Sequence, residues 1–287
     1  MPPPDSTLLT RLAGWFQGHA AGRIEKLRHV ASPQLGNRRT ITVYLPRGYT
    51  HDRAYPLLVA HDGQEMNAWI LTDALAKQHA AGRVTPVVAA IPASATRMHE
   101  YGTAGQLNGD GLGDRAAEFQ AFVTDTVVPL LRRRYQLQRG PAHTAVMGAS
   151  LGGLSAFDLA WQRPDVFGVG GIFSGSFWWR TSDASVAEQQ ASRITHQRVR
   201  ETAAKPPLRL WFQAGTLDEQ EDRDGNGVID AIQDTTELVD ELVAQGFTRG
   251  RDVIYHETAG GHHHPSTWAR ELPEFLRWAF PGSRPES

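Results

Sequence analysis

Hydrophobic residues along this chain fall into two alternating patterns. Dense apolar runs recur at 55–63 (YPLLVAHDG), 86–92 (PVVAAIP), 143–150 (HTAVMGAS), 208–215 (LRLWFQAG) and 252–261 (DVIYHETAGG). Rich in valine, isoleucine and leucine, they read as strands, the first three as strands covered on both faces. The run TITVYLP at 40–46 alternates apolar and polar positions instead. Between these runs lie helix candidates at 68–81, 114–135, 151–163, 233–246 and 266–279. Strand alternating with helix predicts one α/β domain, a mostly parallel central sheet with helices on both faces. Residues 1–25 read as an N-terminal extension. The least regular stretch, 174–207, reads as a cap or a connecting insertion. In such sheets ligands bind beyond the carboxyl ends of the strands, so the loops after each run are where chemistry is expected.

One of those loops carries a distinctive string. Gly148-Ala149-Ser150-Leu151-Gly152 matches G-x-S-x-G, directly after a strand and before a helical pattern. A serine hydroxyl is a weak nucleophile. It has to stand clear of the backbone on a sharp turn where a base reaches it. The flanking glycines let neighbouring backbone pack against that turn. The amide of Leu151 then points at a developing oxyanion.

Such a serine needs a base and an orienting acid, which hydrolase folds supply in the chain order serine, acid, histidine. LRLWFQAGTLDE delivers Asp218, with Glu219 beside it. The next strand ends in three consecutive histidines, His262, His263 and His264. One of them is expected to be the general base, since an imidazole takes a proton at neutral pH and a buried carboxylate fixes its tautomer. A metal site is the weaker reading of the tract, because adjacent side chains on an extended segment diverge and the helical H-E-x-x-H spacing is absent.

Composition removes other classes. With 287 residues, 40% hydrophobic and 21% charged, the chain can bury a sizeable core. A net charge of -2 gives no global basic field for nucleic acid, and the run LLRRRYQLQR suits a helix C-terminus. Zero cysteines exclude disulfides, thiolate zinc sites and a cysteine nucleophile. With neither a signal-peptide pattern nor a long apolar span, the expectation is a soluble, cytoplasmic protein without membrane partners. Nothing in the sequence speaks to an oligomeric state.

Several strings together resemble the putative-esterase family of α/β-hydrolases, the enterochelin-esterase-like and esterase D-like proteins. They are LGNRRTITVYLPRGY, YPLLVAHDGQEM, RMHEY, EFQAFVTDTVVPLLRRRYQL, MGASLGGL, AGTLDE and HHPSTWARELPEFLRWAF, in order over about residues 30–280. The resemblance implies an α/β-hydrolase fold and an oxyanion-hole amide in the HDGQ turn, at Gly63 and Gln64. It also implies a catalytic histidine five residues before a tryptophan, which selects His263 from Trp268 and keeps His262 as the alternative. RMHEY resembles a motif beside the active site, where Arg97 and Glu100 form an ion pair or contact a polar substrate. The chain departs from the enterochelin esterases in lacking their large N-terminal domain, which argues against a siderophore substrate.

The expected function is a serine carboxylic-ester hydrolase acting on a small-molecule ester without a cofactor. Ser150 is the nucleophile, His263 the base and Asp218 the orienting acid, with Gly63, Gln64 and Leu151 at the oxyanion hole. An acyltransferase with the same triad, or an inactive hydrolase-fold binding protein, are the alternatives. Phe177, Trp178 and Trp179 line a pocket or pack in the core. Last, DRDGNGVIDAIQD places Asp222, Asp224 and Asn226 at positions 1, 3 and 5 of a calcium-type loop and Gly227 at position 6, but Gln233 replaces the closing carboxylate at position 12. A polar turn is the first reading and a structural calcium site the second.

Overall fold

The computed structural model describes residues 22–282. Its strands are β1 (Arg23–Ser32), β2 (Asn37–Leu45), β3 (Leu57–Ala60), β4 (Val87–Ala90), β5 (Thr144–Ala149), β6 (Val169–Phe173), β7 (Arg209–Leu217) and β8 (Val253–His262). They form one sheet in the order β1-β2-β4-β3-β5-β6-β7-β8. From β4 to β8 every neighbouring pair is parallel, whereas β1 pairs with β2, and β2 with β4, antiparallel. The helices are α1 (Leu71–Ala80), α2 (Arg97–Glu100), α3 (a helical run over 116–134), α4 (Leu151–Gln162), α5 (Val186–Ala191), α6 (Ile194–Glu201), α7 (Asp230–Ala244) and α8 (Pro265–Ala279). This is an α/β-hydrolase architecture.

Successive strand residues point to opposite faces, and each face has its own apolar cluster. Leu58, Met147, Phe173 and Trp211 pack with Leu71 and Leu75 of α1 and with Trp268, Leu272 and Phe275 of α8. Their neighbours Val59, Val146, Ile172 and Phe212 pack with α3, α4 and α7 through Phe119, Phe122, Leu154, Phe157, Leu238 and Leu242. Each such side chain, fully buried, contributes about 1.5–3 kcal/mol. This two-sided burial is why the central strands read as continuous apolar runs.

Three parts bear on the sequence expectation. β1 begins at Arg23, so the last residues of the supposed extension belong to the sheet, while residues 1–21 lie outside the described residues. As an edge strand it buries few of its residues, and its polar sequence hid it. β6, VGGIF, agrees with the strand that the sequence ends at about 174; a Cβ on Gly171 would lie 2.5 Å from the Phe275 ring, so the gap admits α8 close to the sheet. The stretch 174–207 holds α5 and α6 and lies against α4 and α7. Arg198 of α6 pairs with the buried Asp158 of α4, and Arg193 with Asp234 of α7. Phe177 and Trp179 are fully buried and Trp178 is exposed. The residues that line the cleft at Ser150 come from other parts of the chain.

Candidate active site

Ser150 sits between β5 and α4 with φ 55° and ψ −130°, a conformation that non-glycine residues rarely adopt. The neighbouring backbone holds it there. Its amide donates to the Phe173 carbonyl at 2.9 Å, and its carbonyl accepts from Gly153 at 2.9 Å. A Cβ on Gly148 would meet the Gly152 carbonyl oxygen at 2.2 Å, and one on Gly152 would meet Asp62 Oδ2 at 2.5 Å. Only glycine fits either side of this turn. Leu151 is the first residue of α4, so its amide has no partner within the helix.

The HDGQ segment follows β3 as a tight turn, with Asp62 left-handed at φ 50°. The Gly63 amide is committed to the Ile91 carbonyl at 2.8 Å, and the Glu65 amide to Asp62. Of the sequence-proposed pair this leaves the Gln64 amide as the donor in the turn. The Gln64 side chain braces the same turn, accepting from the Ala93 amide at 2.9 Å and donating to Asp62 at 3.3 Å.

Asp218 and His263 each follow the last register pair of β7 and β8, Leu217 with His262. Two adjacent strand ends therefore present acid and imidazole together. Asp218 is buried; its Oδ2 accepts from the Gly215 amide at 3.0 Å, while Oδ1 is buried without a hydrogen-bond partner. Glu219 points elsewhere, accepting from the Ala231 amide in the first turn of α7. Burial pushes its pKa up to about 7.

The three histidines separate by role. His264 is the N-cap of α8, its Nδ1 accepting from the Ser266 amide at 3.2 Å. His262 is exposed on β8, and its amide donates to Thr267 Oγ1. The His263 ring feels the charge of Asp218. Its pKa is lowered, first by the protein packed around part of the ring and then by Arg97, while the Asp218 charge opposes the shift. The ring stands edge-on to Trp268, centroids 5.4 Å apart.

A cleft of about 370 Å³ opens at Ser150. Trp69, Trp268, Ala149 and Pro265 form its apolar lining; Asp62, Gln64, Glu65 and Arg97 form its polar lining. Sequence reasoning missed the partner of Arg97. Its Nε and Nη2 grip both oxygens of Asp62 at 2.8 Å, and its guanidinium lies over the Tyr101 ring at 5.0 Å. Glu100 pairs instead with Arg39, both side chains buried. Asp62 belongs to the HDGQ string already singled out, where Asp and Gly favour a turn, but that the turn brings Asp62 against Arg97 of α2 left no mark in the sequence.

The calcium-type loop closes on itself. Asp222 accepts from the amides of Asn226 and Gly227, Asn226 Oδ1 accepts from Val228, and Gln233 bridges Asp224 and Asn226. Among the described residues no group of three or more His, Cys, Asp or Glu side chains is arranged to hold a metal. Nor, among them, is any helix long and apolar enough to cross a membrane.

A strained serine between a parallel strand and a helix, in a sheet covered by helices on both faces, is an arrangement of the α/β-hydrolase class. Residues 32–279 match the family described as "Putative esterase", and the chain belongs to it. It is 24% identical over 261 residues to the uncharacterized protein YbbA of Bacillus subtilis, covering 88% of this chain and 96% of that one. It is 27% identical over 269 residues to the iron(III) enterobactin esterase of Dickeya dadantii, covering 89% of this chain but 55% of the relative, so it spans about half of that protein. A solved ferulic acid esterase shares the fold with a TM-score of 0.68 at 16% identity, covering 90% of this chain and 98% of that one.

Proposed function

We propose that this esterase hydrolyses carboxylic esters through an acyl-enzyme on Ser150. Supporting this above all is the backbone of Ser150, whose φ of 55° and ψ of −130° hold a nucleophile at the cleft against local preference. His263 takes the Ser150 proton as the oxygen attacks the acyl carbonyl, and returns it to the leaving alcohol. Asp218 Oδ1, which has no other hydrogen-bond partner, is free to accept the other imidazole N–H during the reaction and so hold the tautomer. The amides of Gln64 and Leu151 stabilise the tetrahedral oxyanion. Water, activated by the same imidazole, releases the acid. An exposed His263 and an open cleft favour water over a bound acceptor as the second nucleophile.

The two-sided lining suits an aromatic acyl group bearing hydroxyls. Trp69 and Trp268 put indole rings in the wall, while Arg97, Gln64 and Glu65 add polar groups. The names of the relatives, enterobactin esterase and ferulic acid esterase, point the same way. The test is a panel of p-nitrophenyl esters of graded chain length alongside methyl esters of hydroxylated benzoic and cinnamic acids. The reading expects the hydroxylated aromatic esters to have the highest kcat/KM; a clear preference for medium-chain aliphatic esters would replace the aromatic assignment, and no hydrolysis of any ester would overturn the activity.

A further inference from the structure

The residue before Asp62 crosses from one half of the site to the other. His61 leaves the end of β3 with its ring 1% exposed. Its Nδ1 lies 3.1 Å from the carbonyl oxygen of Gly152, in the first turn of α4 and 91 residues further along the chain. A carbonyl only accepts, so Nδ1 carries the proton and Nε2 does not. Burial, the largest influence, pushes the imidazole pKa down to about 4 and keeps this neutral form at physiological pH.

The ring is wedged in place. It stacks on Tyr101 at 5.4 Å and meets the Phe119 ring edge at 5.2 Å, while the Tyr101 hydroxyl accepts from the Asp62 amide at 3.1 Å. Nε2 is buried with no hydrogen-bond partner. A buried nitrogen left unpaired is unfavourable, and leucine would fill much of the same space without one. What leucine cannot do is bond to Gly152. That carbonyl belongs to the residue after Leu151, and His61 lies three residues before Gln64. The bond therefore ties the turn that carries Gln64 to the turn that carries Ser150 and Leu151.

We infer that His61 is a positioning residue whose Nδ1–H bond to the Gly152 carbonyl sets the spacing between the Gln64 and Leu151 amides, aiming both at one oxyanion. The inference rests on the serine-hydrolase reading above. Because the oxyanion exists only along the reaction path, losing the bond acts on turnover and spares ground-state binding.

The experiment compares His61→Leu, His61→Asn and His61→Gln in steady-state hydrolysis of p-nitrophenyl butyrate, with thermal melting as the check on folding. In His61→Leu, kcat is expected to fall about tenfold to a hundredfold, less than for outright removal of an oxyanion donor, with KM nearly unchanged. Asparagine places its amide N–H close to the position of Nδ1 and restores most of kcat; glutamine places it one bond further out and does not. Should His61→Leu fail to fold, the asparagine and glutamine pair decides. Wild-type kcat in a folded His61→Leu enzyme, or equal kcat in the asparagine and glutamine variants, overturns the inference. Failure of the underlying reading shows separately, as wild-type enzyme in which a fluorophosphonate leaves Ser150 unlabelled.

Discussion

The imidazole of His263 stands edge-on to the indole of Trp268, with centroids 5.4 Å apart and planes at 87°. The indole is itself fixed, its Nε1–H donating to Ser174 Oγ at 2.9 Å and its ring tilted against Trp69. An aromatic wall thus holds the ring of the proposed base. An edge-to-face pair contributes about 0.5–1.5 kcal/mol, so Trp268→Leu is expected to lower kcat roughly tenfold by loosening that ring. Stopped-flow hydrolysis of an activated ester measures it; an unchanged kcat would show that Trp268 serves the cleft alone.

Three adjacent histidines should give three different phenotypes. His263→Ala is expected to lose several orders of magnitude in turnover, and His262→Ala to stay near wild type. His264→Ala keeps turnover but loses about 1 kcal/mol of stability, the usual effect of removing an N-cap acceptor. Parallel kcat and urea-unfolding measurements separate them. A severe loss at His262 with near-normal His263→Ala would move the base to His262.

Asp218 and Glu219 differ in what their oxygens do. Asp218→Asn is expected to reduce kcat by about 10⁴, because an amide favours the wrong imidazole tautomer. Glu219→Gln leaves catalysis largely intact, since Glu219 serves the first turn of α7. The reverse order of losses would reassign the acid.

The acid limb of kcat/KM reports the imidazole that must be neutral to act as base. Packing and Arg97 lower the His263 pKa, so the midpoint is expected below the ordinary value near 6.5. The two neighbouring charges act in opposite directions. Arg97→Gln removes a cation that disfavours imidazolium and moves the limb to higher pH. Asp218→Asn removes an anion that favours imidazolium and moves it to lower pH, independently of the loss in amplitude. Shifts of the opposite sign would place these charges wrongly around the base.

How much of this was legible follows from where the information lies. The strand–turn–helix placement of Ser150 was readable because a strand, a G-x-S-x-G string and a helix are all local to one stretch. That Asp218 lies at the end of a strand was readable from the apolar run before it. The sequence reading that favours His263 counts back from Trp268, and in the structure these two rings meet edge to face. The partner of Arg97 was not readable: Glu100 lies one helical turn away, but β4 and β3 carry Asp62 to it from 35 residues earlier. Nor was the loss of Gly63 as a donor, since its amide pairs with Ile91 only once β3 and β4 lie side by side. β1 and α5–α6 were hidden by polar sequence, their order coming from tertiary partners rather than from local pattern.

The central claim is that Ser150 is the nucleophile. Its most direct test is peptide mapping by mass spectrometry after treatment with a fluorophosphonate, alongside the esterase activity of Ser150→Ala. The account predicts one stoichiometric adduct on Ser150, complete loss of hydrolysis with labelling, and a folded Ser150→Ala protein that is neither labelled nor active. Hydrolysis persisting in that folded variant, or an adduct on another serine that tracks the loss of activity, would contradict it.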